Sequence, residues 1–570
     1  MTPLAPARVL NIRHQYPAGV APASGDSDTM SASVSAAGLD PVLDGELPPK
    51  VVLASMAGVM AAMLMAALDG TIVGTAMPRV IAELQGFQHY AAVTTIYMLA
   101  STVVVPIVGK LSDLYGRKPF LLVGVTIFII GSMLCGAATS MTWLVAARGF
   151  QGIGAGFSQA TAFTTIADLY PPARRGRITG VMGSVFGLAS IVGPAVGGLL
   201  TDGPGWRWCF YVNVPVGLVA LAILFFFFPN LVTPRARTPK VDWVGAATLV
   251  MGVVPLLLAL SWGGRDYAWG SREVVSLLAA GLGMTALFLF LQTRTDEALM
   301  PPALFKPRVV WTSAAAATLV SIGMFGTVLF IPLFIQGVVG RSATQSGAIV
   351  TPMMFSLIGA SIVSGQLVTR LGKYKMLAVA GVTITTAGMG LLALMDEQTA
   401  YSTVLRNMVV MGVGLGMTMP VFNLAVQNAV DPANVGVMTS SLQFLRSIGG
   451  SLGAAIFGAV LTNRFSPAFH TALPAQVAAG LPPQLVQAFE NPQAMMDPRM
   501  AARIQAAGPD MAERMVPVFG AVRHALSASL HDVFVFGALL AAAGLAFALF
   551  IVDIPLRKTN RPVHAPAEVL

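Results

Sequence analysis

Stretches of about twenty predominantly apolar residues follow one another along almost the whole chain, each long enough to cross the ~30 Å hydrocarbon core of a bilayer. They fall near 51–77, 90–109, 119–138, 142–167, 177–200, 210–229, 241–262, 274–292, 309–335, 344–368, 376–395, 403–428, 436–461 and 530–552, fourteen in all. A bilayer offers backbone N–H and C=O groups no water, so such segments must satisfy themselves as helices. The expected class is an all-α polytopic membrane protein. Composition agrees: of 570 residues 55% are hydrophobic and 10% charged, with mean hydropathy +0.74, against about 25% charged in soluble domains.

An even count puts both ends of the chain on one side, and the basic residues choose it. With the N-terminus inside, the short inner loops hold Lys110, Arg117, Lys118, Arg174, Arg175, Arg177, Arg235, Arg237, Lys240, Arg294, Lys306, Arg308, Arg370, Lys373 and Lys375. The short outer loops hold only Arg79, Arg207, Arg265, Arg272, Arg341 and Arg406. This is the positive-inside bias, and it accounts for the net charge of +9 without nucleic acid. The expected location is the cell (inner) membrane, multi-pass, with both termini cytoplasmic.

The spans carry an internal repeat. At an offset of 256 residues Gly109 and Gly116 recur as Gly365 and Gly372, and Gly193 and Gly197 as Gly449 and Gly453; Gly152, Gly154 and Gly156 recur, slightly shifted, as Gly412, Gly414 and Gly416. Two six-helix halves follow, 51–229 and 309–552, with two linker transmembrane helices in 230–308. A disordered cytoplasmic tail is expected over 1–50, a second cytoplasmic tail over 553–570, and an extracytoplasmic loop over 463–528. Amphipathic runs in that loop predict a helical hairpin on the membrane surface. Paired repeats place a solute site near the midplane, between the halves.

Five strings in order resemble the fourteen-spanner drug/proton antiporters of the major facilitator superfamily, the EmrB/QacA type. They are LDGTIVGTAMP (68–78), GKLSDLYGRK (109–118), RGFQGIGAG (148–156), GLASIVGPAVGG (187–198) and WRWCFYVNVPVG (206–217). The resemblance spans about 50–555. It implies a major facilitator fold of two six-helix halves plus two extra central helices, and a proton-driven exporter of amphipathic, often cationic, compounds. The alternative for the 463–528 loop is a gate or a docking site for a periplasmic adaptor protein, which some relatives are thought to use. A dedicated exporter of one endogenous metabolite, lipid or siderophore, and a proton-coupled uptake symporter, remain alternatives on the same fold.

Asp69 is a carboxylate well inside the first span, where ionisable groups face a cavity and do work. It is expected to couple protons and to attract cationic substrate. The resemblance carries Asp at this position. Arg148 and Gln151 lie in the fourth span; Arg148 is expected to tune proton uptake, Gln151 to line the substrate cavity with Asn423, Gln427 and Gln443. Arg446 raises the same question as Arg148. The loop with Gly109, Asp113, Gly116, Arg117 and Lys118 is expected to act as a conformational latch. Its two glycines would make the turn, Asp113 would meet helix amides or pair with a basic group, and Arg117 and Lys118 would hold the anionic leaflet. Thr369 stands where the repeat would put a second Asp, so the latch is asymmetric. Gly187, Gly193, Pro194, Gly197 and Gly198, the antiporter motif by resemblance, are expected to kink and close-pack the fifth span.

Met60, Met63, Met65, Met353, Met354, Met417 and Met419 are candidate linings of an adaptable pocket. Cys135 and Cys209 sit in or beside apolar segments as small hydrophobes. The chain contains no Gly-x-x-x-x-Gly-Lys-Ser/Thr loop and no HExxH, and its histidines lie in tails or loops apart from His531 at the edge of the last span. No cofactor, no metal and no enzyme activity are expected. The partners are small amphipathic molecules, protons and membrane lipid.

Overall fold

The computed structural model describes residues 48–84, 90–230, 240–264, 267–295, 297–341, 343–480, 486, 489 and 509–556. The helices, in chain order, are α1 (Pro49–Leu84), α2 (Tyr90–Tyr115), α3 (Arg117–Gly136), α4 (Met141–Leu169), α5 (Pro172–Asp202), the single turn α6 (Trp208–Tyr211), α7 (Asn213–Phe227), α8 (Trp243–Trp262), α9 (Arg272–Gln292), α10 (Arg308–Leu333), α11 (Ala343–Leu371), α12 (Lys375–Ala393), α13 (Tyr401–Ala429), α14 (Val435–Ala472), α15 (Ala475–Gly480) and α16 (Pro509–Leu549). Among the described residues there is no strand beyond an isolated bridge between Gly263 and Tyr267.

Among the described residues, thirteen helices are long and apolar enough to cross a membrane. The remaining expected span, 142–167, is α4, a helix of 29 residues. Its Gly, Thr, Ser, Gln and Arg content keeps it out of that set, and those residues carry the site described below. The chain is a multi-pass membrane protein.

Glycine sets the packing within each half, twice over. Along α4, a Cβ on Gly152 or Gly156 would meet the α2 carbonyls of Tyr97 and Ser101, and one on Gly154 would meet the α3 backbone at Phe128. Along α13, Gly412 and Gly416 lie against the α11 carbonyls of Met353 and Leu357, and Gly414 against Thr385 of α12. The repeat read from the glycines is thus a repeat of helix contacts. Where helices gain nothing by burying apolar surface from lipid, such close backbone approach supplies the van der Waals contact that holds them.

The linker pair is pinned to this scaffold. Asp242 caps α8 by accepting from Gly245 N (2.7 Å) and also accepts from Gln292 Nε2 at the end of α9 (2.8 Å). Leu249, Val253 and Leu257 of α8 pack with Leu99 and Val103 of α2 and Phe444 of α14. The helix therefore covers the seam between the halves.

The 463–528 segment departs from the expected surface hairpin. Much of its described part continues the flanking helices, α14 running on to Ala472 and α16 beginning at Pro509, with the short α15 (Ala475–Gly480) following α14. Arg464 pairs with Asp532 across them at 2.9 Å. Residues 481–508, apart from 486 and 489, lie outside the described residues, as does the expected tail up to residue 47.

The expected C-terminal tail starts as a strap. Asp553 accepts from the amides of Tyr374 (2.9 Å) and Lys375 (2.8 Å), capping α12. Tyr374 is buried; its hydroxyl donates to Val552 O and accepts from Ile554 N. Burial pushes its phenol up to about 12, so it stays protonated and donating at neutral pH. Asp553→Ala is expected to speed hydrogen exchange at the two amides about tenfold, the loss of one charge-assisted acceptor. Amide exchange followed by mass spectrometry checks this; unchanged rates would mean the strap does not hold the turn.

Candidate functional site

Two apolar clusters of the first half flank the middle of α1. One gathers Met63, Met65, Phe128 and Leu224; the other gathers Ile72, Val73, Leu144 and Phe210. Asp69 lies on α1 between them and is fully buried. A buried carboxylate needs a cation and donors; two other helices supply them and a third holds the donors in place. Arg148 Nη1 of α4 donates to Asp69 Oδ2 at 2.5 Å. Gln151 Nε2, one turn on, donates to Asp69 Oδ1 at 2.8 Å. Asn213 Nδ2, at the start of α7, donates to the same oxygen at 2.9 Å. Ser132 of α3 accepts from Gln151 (2.7 Å) and from Asn213 (3.2 Å). Arg148 is closed in further: it donates to Gln151 Oε1 at 2.7 Å, and its guanidinium lies 4.1 Å from the Tyr97 ring centre.

This arrangement corrects two expectations. Gln151 does not line a cavity, because it is fully buried and its amide is committed to Asp69, Arg148 and Ser132. Asp69 likewise presents no surface to a substrate in this conformation, since both oxygens are taken. Asn213 and Ser132 were missed. The signal for Asn213 was an amide inside an otherwise apolar string; nothing in the sequence marked Ser132.

The second half is not a copy. Shifting Gly152 onto Gly412 puts Met408 and Met411 where α4 has Arg148 and Gln151. Asn423 and Gln427 are buried on α13, and Gln427 Nε2 donates to Thr439 Oγ1 at 3.2 Å. Gln443 is half-buried on α14. No hydrogen bond joins these three to the Asp69 cluster among the described residues, so the expected substrate lining is not brought together. Met63, Met65 and Met353 are core residues rather than pocket linings.

At the end where the 110–118 and 171–177 loops lie, the halves meet. Asp113 of α2 accepts from Val437 N at the start of α14 at 2.7 Å. Arg117 binds Asp113, donates to Ser112 Oγ (2.6 Å) and pairs with Asp168 (2.7 Å). Lys110 pairs with Glu297 beyond α9 at 2.8 Å. Arg117 is therefore buried between acids and does not reach a leaflet; Lys118 leans over the Phe225 ring instead. Gly116 makes the turn, with φ 92°, and Gly372 does so in the repeat, with φ 66°. Gly109 does not: it is helical and lies against Ser440 and Gly436 of α14. The mirror contact sets Gly365 of α11 against Gly176 of α5. Thr369, in place of a second Asp, bonds only its own helix at Gly365 O (2.9 Å).

The α5 glycines divide between two partners. Gly187 lies against Ile358 of α11, across the seam, while Gly193 and Gly197 lie against Thr71, Ile72 and Thr75 of α1. Gly198 has open space around it and Pro194 is exposed, so these two do not belong to the close-packed face. Thr71 Oγ1 also donates to Ala189 O of α5 at 3.0 Å.

Residues 59–454 match the Major Facilitator Superfamily profile. The multidrug transporter protein MdtP of Bacillus subtilis is 40% identical over 514 residues, covering 88% of this chain and 93% of that protein. Multidrug resistance protein 3 of the same organism is 39% identical over 409 residues, covering 72% of this chain and 79% of that protein. In fold the chain resembles the crystal structure of the human organic anion transporter MFSD10, with TM-score 0.56 at 14% identity, over 87% of this chain and 100% of that one. The chain belongs to the Major Facilitator Superfamily. It is a membrane transporter, with multidrug transporters among its relatives.

Proposed function

We propose that this protein is a proton-coupled antiporter of the fourteen-spanner type, exporting amphipathic compounds by alternating access, with both termini cytoplasmic. The observation that carries the reading is the buried Asp69–Arg148 pair and its connection to the seam. Asp69 is the proton carrier. Protonation cancels its charge and weakens its hold on Arg148, so the packing of α1 and α4 around the pair changes. Thr71, two residues on, is bonded to α5, and α5 forms the seam with α11. One helix thus feels both the carboxyl and the gate. A cation could compete for Asp69 only after Arg148 withdrew; the proton site and the substrate's polar contact are therefore separate.

The relatives named as multidrug transporters support export of a range of compounds, and the α5 glycine motif supports exchange over symport. Purified protein in liposomes with an imposed proton gradient tests this. A fluorescent amphipathic dye is expected to move against the direction of proton flow. Movement with the protons would establish the uptake symporter, and no movement of a broad panel would favour a dedicated exporter.

A further inference from the structure

Arg446 lies on α14 three residues before Gly449, which packs on Thr318 of α10. In the first half the matching glycine, Gly193, packs on Thr71, two residues from Asp69. Arg446 therefore sits near the depth of the Asp69 cluster, deep in the membrane-spanning part of the helix. It is 8% exposed, and its Nη1 is buried with no hydrogen-bond partner. No acid answers it among the described residues. The helices α8, α10 and α13 packed around α14 contain no Asp or Glu. Three carboxylates on the other neighbours are committed elsewhere: Asp113 to Arg117 and Val437 N, Asp168 to Arg117, Asp532 to Arg464.

The repeat makes this arginine an addition rather than an inheritance. At the offset of 256 its counterpart is Ser190, whose hydroxyl bonds Phe186 O in its own helix. Arg148 in the first half has a carboxylate on α1; α10, the equivalent helix of the second half, carries no Asp or Glu. A guanidinium deep in a membrane protein is costly unless something accepts its hydrogen bonds. The planar fork is suited to a carboxylate, sulfonate or phosphate oxygen pair.

We propose that Arg446 binds the anionic group of the transported compound, so that the substrates are amphipathic organic anions or zwitterions. This rests on the exporter reading above and deepens it. The proton is handled in the first half by Asp69, the substrate's charge in the second half by Arg446.

Binding of three matched probes to the full-length protein in phosphatidylcholine nanodiscs tests this: pyrenebutyrate, pyrenebutanol and pyrenebutylamine. The wild type is expected to bind the carboxylate more tightly than the alcohol or the amine. Arg446→Gln is expected to weaken the carboxylate alone, by about ten- to a hundredfold, leaving the alcohol unchanged as evidence of an intact fold. Arg446→Lys should keep part of the preference. Equal affinity for the three probes in the wild type overturns the proposal, as does no binding of pyrenebutyrate or a preference that survives Arg446→Gln. Displacement of pyrenebutyrate by added phosphatidylglycerol would assign the site to lipid headgroups and overturn it too. Should Arg446→Gln not purify as a folded protein, the wild-type ranking and Arg446→Lys still decide. Selective anion binding without gradient-driven transport would leave this site standing and remove the exporter reading.

Discussion

Asp69→Asn is expected to abolish proton-driven export and, alone, to destabilise the protein. The two effects have different origins. Transport fails because an amide cannot take up and release the proton. Stability falls because Arg148, 1% exposed, loses its carboxylate; removing one partner of a buried pair costs about 3–5 kcal/mol. Arg148→Gln should destabilise comparably, leaving Asp69 with only the amides of Gln151 and Asn213. The double variant Asp69→Asn/Arg148→Gln removes both charges together, so its loss of stability should fall short of the sum of the two single losses, while it remains inactive. Contacting residues of this kind couple by 0.5–3 kcal/mol, roughly, in a double-mutant cycle. Thermal unfolding of the four proteins, with transport in proton-loaded liposomes, separates the two roles. Coupled export retained in Asp69→Asn would place the proton carrier elsewhere.

What the sequence disclosed, and what it hid, follows from the physics of a membrane helix. Span length is imposed by the bilayer, so the long apolar runs were legible, and α4 could be recognised despite its polarity. Charge inside hydrocarbon is rare enough to announce itself, which is why Asp69 and Arg148 stood out as single residues. The rotation of each helix about its axis was not legible. A face turned to lipid is as apolar as one turned to the core, so periodicity says little about which side residue 151 or 198 occupies. That is why the sequence points Gln151 to a cavity while the fold sets it on Asp69, and why Gly198 reads as part of a packed face it does not share. The Asp69 cluster draws on α1, α3, α4 and α7, and spacing along one helix cannot reveal Ser132 or Asn213 on others. Arg117 misled for a related reason. A basic residue at a helix end reads as a leaflet anchor, and only the fold brings Asp113 and Asp168 around it.

Gly365→Leu is expected to open the seam between the halves and to reduce transport severely. A Cβ at Gly365 would meet the backbone of Gly176 and Arg177, and a Cβ at Gly176 would meet the backbone of Gly365. Neither side has a flexible side chain to turn away; only movement of α5 from α11 relieves the overlap. Overpacking of this sort costs about 1–3 kcal/mol. Spent against one of two conformations, that shifts the equilibrium about 5- to 150-fold away from the closed seam. The same end is held by Asp113 on Val437 N and by Gly109 against Ser440, so the shift should be visible there. Ser440 is 1% exposed. In a background with Cys135 and Cys209 replaced by serine, Ser440→Cys should resist an impermeant maleimide in the parent and react once Gly365→Leu is added. Gly198→Leu is the control, since a Cβ there has nothing within 4 Å, and it should change neither labelling nor transport. The contrast is informative because both substitutions put the same apolar side chain on a glycine in a membrane helix. If Gly365→Leu leaves Ser440→Cys protected and transport intact, the close approach of α5 and α11 is passive packing, and the moving contact must lie on another pair of helices.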